Sequence, residues 1–168
     1  MDQGRVSVSY AKALFDWANT TAQLDELYTQ TETLINLINL NADFRTLLHT
    51  PMISLSKKSE SITKVVDSCC PKLTKFVLLM VKNGKETLIK NSLLVFNQLY
   101  RKKNQITLTT VESAIPLNKE TKQQFIHYFE EKFGGSIEFK HTENPKLIGG
   151  FVITIDDKLI DKSVKGEI

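Results

Sequence analysis

Three histidines, two cysteines and a cluster of aspartates near the end are the residues of this chain best suited to catalysis or metal binding. His49, His127 and His141 lie far apart, and none has another histidine at ligand spacing. Cys69-Cys70 has neither the two-residue spacer of a redox pair nor a second cysteine pair for zinc. Adjacent cysteines also make a strained disulfide, so the pair argues for a reducing compartment and against a secreted disulfide scaffold. Asp156, Asp157 and Asp161 have the residue types of a metal loop, but a hairpin turn at that point requires Asp in any case. Gly134-Gly135 and Gly149-Gly150 lack the further glycines of a dinucleotide fingerprint, and there is no phosphate loop or nucleophile elbow. The expectation is therefore no catalytic residue, no metal and no cofactor.

Charge is the next place to look for a partner. The chain has 168 residues and a net charge of only +3. Residues 1–40 hold two basic side chains against five acidic ones, residues 41–104 hold twelve against four, and residues 105–168 hold eight against ten. A basic middle suits an acidic partner, an anionic lipid surface or nucleic acid, and it is equally the mark of a solvated lysine-rich face. The N-terminus has neither an apolar signal core nor an Arg/Ser-rich transit peptide. No stretch approaches the roughly 20 apolar residues of a membrane span, so a soluble protein is expected.

The elements that would position these residues change character near Asn104. Before it the period is helical. Tyr10, Leu14 and Trp17 share one face of a first helix, with Ala11, Phe15 and Ala18 on an adjoining face. Thr20-Thr21 are the expected caps of a second helix carrying Leu24 to Ile38, and Asn41 of a third carrying Phe44, Leu47 and Leu48. Ser54 or Ser56 starts a fourth with Ile62, Val65 and Val66. Pro71 suits the first turn of a fifth, which runs through Phe76 to Val81 and stops at Asn83-Gly84. A sixth carries Leu88 to Tyr100. After Asn104, residues 105–111 read as a strand, Asn118 opens a helix ended by Gly134-Gly135, and residues 136–141 and 146–155 read as strands. The prediction is a mainly α protein: a six-helix bundle over 1–104, then a small α/β domain over 105–168.

Two helices in this scheme are too apolar for a surface position. Between Tyr10 and Ala18 only Lys12 and Asp16 are charged, and Phe76 to Val81 is uninterrupted. A unit of this size has little capacity to bury two such helices completely. Either both are core, or one face of the pair is open and takes the apolar face of a partner helix. Gly149-Gly150 also needs a cause, since glycine at a strand usually marks a bend or close approach. The two are read as a bend that lets the following β run cross the helix around Phe125 and Phe129.

Three motifs carry a resemblance that spans nearly the whole chain. They are Tyr10-Ala11-Lys12-Ala13-Leu14-Phe15, Val81-Lys82-Asn83-Gly84-Lys85, and Leu147-Ile148-Gly149-Gly150 through Asp161-Lys162-Ser163-Val164-Lys165-Gly166. With these the chain resembles the delta subunits of rotary ATP synthases, relatives of the mitochondrial oligomycin-sensitivity-conferring protein. The resemblance implies a non-catalytic stator subunit without a nucleotide site, on the cytoplasmic side of the bacterial plasma membrane and attached only through the complex. It implies that helices one and five bind the N-terminal helix of an alpha subunit, through Tyr10, Ala13, Leu14 and Trp17 and through Phe76, Leu79, Met80 and Asn83. It implies that the C-terminal domain, with Gly149, Gly150, Asp161, Ser163 and Gly166 as structural residues, meets the b subunits of the peripheral stalk, and that nucleic acid is not a partner. Two departures stand out: Lys85 and Lys165 replace a frequent Arg, and the chain stops soon after Gly166, which implies a trimmed stalk-facing end.

Overall fold

A computed structural model describes residues 2–156 and 158–163. The chain divides into two compact units, one ending at Tyr100 and the other beginning at Arg101. The first holds α1 (Gln3–Thr20), α2 (Leu24–Leu40), α3 (Ala42–His49), α4 (Leu55–Cys69), α5 (Thr74–Lys82) and most of α6 (Ile89–Lys103). One-turn 3-10 helices at Pro71–Leu73 and Glu86–Leu88 lead into α5 and α6.

Local chemistry fixes several of these ends. Asn41 Oδ1 accepts from the Phe44 amide at 2.9 Å, capping α3 as its residue type predicts. Gly84, at φ +63, closes α5, with the Gly84 and Lys85 amides bonded back to Val81 and Met80. Thr20 and Thr21 do not cap α2. Their hydroxyls bond back to the Asp16 and Trp17 carbonyls at 2.8 and 2.9 Å, at the end of α1. The residue at the N-terminus of α2 is Gln23, whose side chain makes no cap bond. Threonine satisfies either helix end with one hydroxyl, so its position alone does not choose between them.

A single cluster joins all these helices. Leu27 and Leu34 of α2, Ile62 and Val66 of α4, Val77 and Met80 of α5, and Leu93 and Phe96 of α6 are at most 1% exposed. Each such side chain contributes roughly 1.5–3 kcal/mol of burial. Two buried polar side chains cross the cluster: the Thr31 hydroxyl donates to Asn97 Oδ1 and Asn97 Nδ2 donates to Glu32 Oε1, each at 2.5 Å, tying α2 to α6, while the buried Ser92 hydroxyl of α6 has no protein partner among the described residues. Lys58 is buried, with its Nζ 2.5 Å from Glu86 Oε1 and 3.0 Å from the Thr50 carbonyl. This clamp joins α4 to the turn before α6.

The second unit contains β1 (Ile106–Ser113), α7 (Lys119–Phe133), β2 (Ser136–Glu143), β3 (Gly150–Ile155) and β4 (Lys158–Ser163). The sheet runs in the order β2-β1-β3-β4. β1 and β2 are parallel, joined through α7, while β3 is antiparallel to both β1 and β4. Asn118 caps α7, its Oδ1 accepting from Thr121 at 2.7 Å. Phe125 and Phe129 stack along α7, and Phe125 meets Phe139 of β2 and Phe151 of β3 at 6.2 and 5.3 Å. Gly150, at φ +75, begins β3 and delivers Phe151 to that contact. Strand pairing does not start at Lys146 as the pattern suggests. Asn144 folds residues 144–147 into a turn, accepting from the Lys146 and Leu147 amides, so β3 is shorter than β1 and β2. Asp156, at φ +49, begins the turn after β3 and its carboxylate accepts from the Leu108 amide at 3.0 Å.

Two outcomes follow from these contacts. Burial works to raise the Glu86 carboxyl, but the Lys58 hydrogen bond, a backbone amide and the charges of Lys58 and His49 overcome it and hold the group below its ordinary value. A carboxyl lowered in the folded state stabilises above its unfolded pKa of about 4.3, and that contribution disappears as pH falls through the folded value. Glu86→Gln leaves Lys58 buried without its counter-charge, costing about 3 kcal/mol at pH 7. Thermal melts from pH 7 to pH 3 should show the gap between wild type and Glu86→Gln narrowing toward the acid end. In the second unit Gly135 sits at φ +73, and an added Cβ would overlap the Gln105 carbonyl oxygen. Gly135→Ala should therefore lower the stability of this unit by about 2 kcal/mol or more in denaturant unfolding, while a Gly84→Ala control, with open space around its Cβ, costs less.

Candidate functional site

Helical geometry sorts the apolar residues of α1 and α5 into two sets. On α1, Ala11, Leu14 and Ala18 are buried and recur at helical spacing, whereas Ala13 and Trp17, four apart, are exposed, Trp17 by 46%. On α5, Val77, Met80 and Val81 are buried, while Leu79 is 51% exposed and Asn83 is exposed. Leu14 and Met80 thus belong to the core and not to an outward face: the spacing that aligns Leu14 with Ala11 and Ala18 turns it inward. Tyr10 and Phe76 are half-buried between the two sets.

The two helices are fastened at this surface. The Tyr10 and Phe76 rings meet edge to face at 6.3 Å, and Asn83 Nδ2 donates to the Tyr10 hydroxyl at 2.8 Å. Each contact joins α1 to α5, and together they hold Trp17 and Leu79 on neighbouring rigid elements. The sequence left open whether this pair is all core or partly exposed; part of each helix is core and part is not. Lys75 and Lys82, exposed on the same side of α5 as Leu79, went unnoticed in the sequence, although their four- and three-residue offsets from Leu79 place them there.

In the second unit α7 carries exposed aromatic surface, with Tyr128 53% and Phe133 43% exposed and the Lys132 ammonium lying over both rings at 5.5 and 5.7 Å. A surface hollow of about 240 Å³ beside it is lined by Thr121, Gln124, Phe125 and Tyr128. Gly149 precedes β3, and the backbones of Asp161 and Ser163 pair with Val152 and Gly150 in the sheet. Gly166 lies outside the described residues.

Chemistry assembles nowhere among the described residues. No group of His, Cys, Asp and Glu there has the arrangement of a metal site. The buried Ser113 hydroxyl does lie 2.8 Å from His141 Nε2. It donates to the Ile115 carbonyl at 2.5 Å, an acceptor that competes with the histidine for the same hydroxyl proton. Burial, with Cys69 alongside, pushes the Cys70 thiol up to about 12, far from the thiolate a nucleophile needs. Part of the basic middle is also engaged: Lys58 pairs with Glu86, Lys64 with Glu60 and Lys72 with Glu26, while Arg45 bonds the Ile38 and Asn39 carbonyls at the end of α2. No helix of the described residues is long and apolar enough to cross a membrane.

Fold and surface together define a mainly helical protein with a small mixed sheet and with large apolar side chains exposed on α1 and α5. The chain belongs to the ATP synthase delta (OSCP) subunit family, whose model matches residues 6–168. It is 29% identical to the ATP synthase subunit delta of Parabacteroides distasonis over 97% of this chain and 91% of that protein. It is 27% identical to the Bacteroides fragilis subunit, over 100% and 92% respectively. Its fold matches a chain of the Toxoplasma gondii mitochondrial ATP synthase hexamer with a TM-score of 0.77, at 18% identity, covering 99% of this chain and 93% of that one.

The state of the two cysteines gives a direct check. Cys69 is exposed and Cys70 buried with a raised pKa, its Sγ 3.4 Å from the Gln30 carbonyl. A thiol reagent at pH 8 should modify Cys69 readily and Cys70 only after denaturation, as read by mass spectrometry of the labelled peptides.

Proposed function

We propose that this chain is a non-catalytic stator subunit of a proton-translocating ATP synthase. In this reading residues 1–104 act as a six-helix bundle that grips the catalytic head, by taking the N-terminal helix of an alpha subunit against α1 and α5. Residues 105–168 hold the b subunits of the peripheral stalk, and the exposed aromatic edge of α7 offers a surface of suitable chemistry for this. The protein sits on the cytoplasmic side of the bacterial plasma membrane, bound through its partners. Its task is mechanical: it keeps the head from turning with the rotor, so that proton flow drives ATP synthesis.

The observation that carries this reading is the exposure of Trp17 and Leu79 on two helices fastened by Tyr10, Phe76 and Asn83. Large apolar side chains held on rigid neighbours are the anchors a partner helix needs. Burying each contributes roughly 1.5–3 kcal/mol before ordering costs. A few anchors of that size resist load mainly through a slow off-rate. Membership of the delta (OSCP) family supports the same assignment.

Trp17 is the only tryptophan, so its emission reports directly on this face. Titration with a peptide of the alpha subunit's N-terminal helix should shift Trp17 emission to shorter wavelength as water leaves the ring. Ala13→Asp puts a carboxylate beside Trp17, one turn away, and should weaken the peptide more than tenfold, a change of at least about 1.4 kcal/mol. An unmoved emission spectrum together with unchanged affinity would remove this face from the account.

A further inference from the structure

Docking on α1 and α5 leaves open what, besides apolar contact, selects the partner helix. The answer lies in the charge around Leu79. Lys75 precedes it by four residues and Lys82 follows it by three, so all three share one side of α5. Both lysines are exposed, and α5 contains no acidic residue. Among the described residues neither lysine makes an ion pair. Asp67, at the end of α4 that leads into α5, is bonded to the Thr74 hydroxyl. The α1 side differs: it carries one charge of each sign, Lys12 and Asp16, one turn apart and both exposed.

Resting on the docking reading above, we infer that the α5 edge of this face selects its partner helix by charge. The partner carries two carboxylates on the flank that meets α5, two helical turns apart, opposite Lys75 and Lys82. The two lysine Cα atoms are separated by about 10 Å along the axis, which matches Asp or Glu at a seven-residue spacing on a partner lying along α5. The apolar stripe supplies the hold, and the lysines supply orientation and rejection of helices with a basic flank. This gives two exposed lysines a specific use and accounts for the one-sided charge of α5.

The test uses the full chain and the alpha-subunit N-terminal peptide, titrated by calorimetry at about 50 and 500 mM salt, conditions that differ strongly in screening. Lys75→Glu/Lys82→Glu should weaken binding about tenfold at low salt and much less at high salt, the size expected from two exposed charge reversals. Leu79→Ala should weaken it similarly at both salt concentrations. If Leu79→Ala weakens binding and the lysine reversals do not, charge selection is wrong and docking stands. If neither variant affects binding, docking itself is wrong and charge selection falls with it. Both lysines are solvent-exposed, so matched melting curves for the double variant would exclude misfolding as the cause of any loss.

Discussion

Limited burial is the constraint on which the first unit depends. A helical unit of this size can cover one side of each helix, and α5 is apolar on more than one side. Its Val77, Met80 and Val81 fill the core, which leaves Leu79 in solvent. The same division runs through α1, where Ala11, Leu14 and Ala18 face in and Trp17 faces out. The small side chains of Ala11 and Ala18 let α1 pack closely on its neighbours. Tyr10 then closes the seam at the surface, giving its ring edge to Phe76 and its hydroxyl to Asn83. Trp17 and Leu79 are thereby carried on two helices fastened to each other.

The second unit solves a different problem. Parallel pairing of β1 with β2 requires a crossover, and α7 supplies it. The chain returns from α7 through Gly134 and Gly135, both at positive φ, and Gly135 passes against the Gln105 backbone at the start of β1. The Phe125, Phe129, Phe139 and Phe151 rings then join helix to sheet. Val111, Phe129 and Ile155 are the buried apolar residues described in this unit, so aromatic packing carries much of its stability.

Much of this was legible in the sequence because the signals are local. Asn41 and Asn118 cap helices by reaching three residues ahead, and Gly84 and Gly134 end them through a backbone angle that other residues avoid. Where a residue type serves two purposes the sequence misled. Thr20 and Thr21 suit the start of α2 by type, yet they finish α1. The β period before Phe151 suggested a strand from Lys146, but Asn144 claims the next amides for a turn. Of the residues that the resemblance assigns to the groove, Tyr10 meets Phe76 and Asn83 across the two helices and Trp17 and Leu79 are exposed, whereas Leu14 and Met80 lie in the core.

The sequence by itself determined the elements, the change from helical to strand period near Asn104, and the excess of apolar residues on two helices. These depend on residue type and on spacing within a single turn or strand. Tertiary structure alone decided which apolar residues are spare, which lysines are already paired, and that the sheet is mixed with β1 between β2 and β3. A hydrophobic side chain carries no mark of whether a neighbour will cover it. That depends on the rotation of each helix about its own axis, which is settled only when the helices pack.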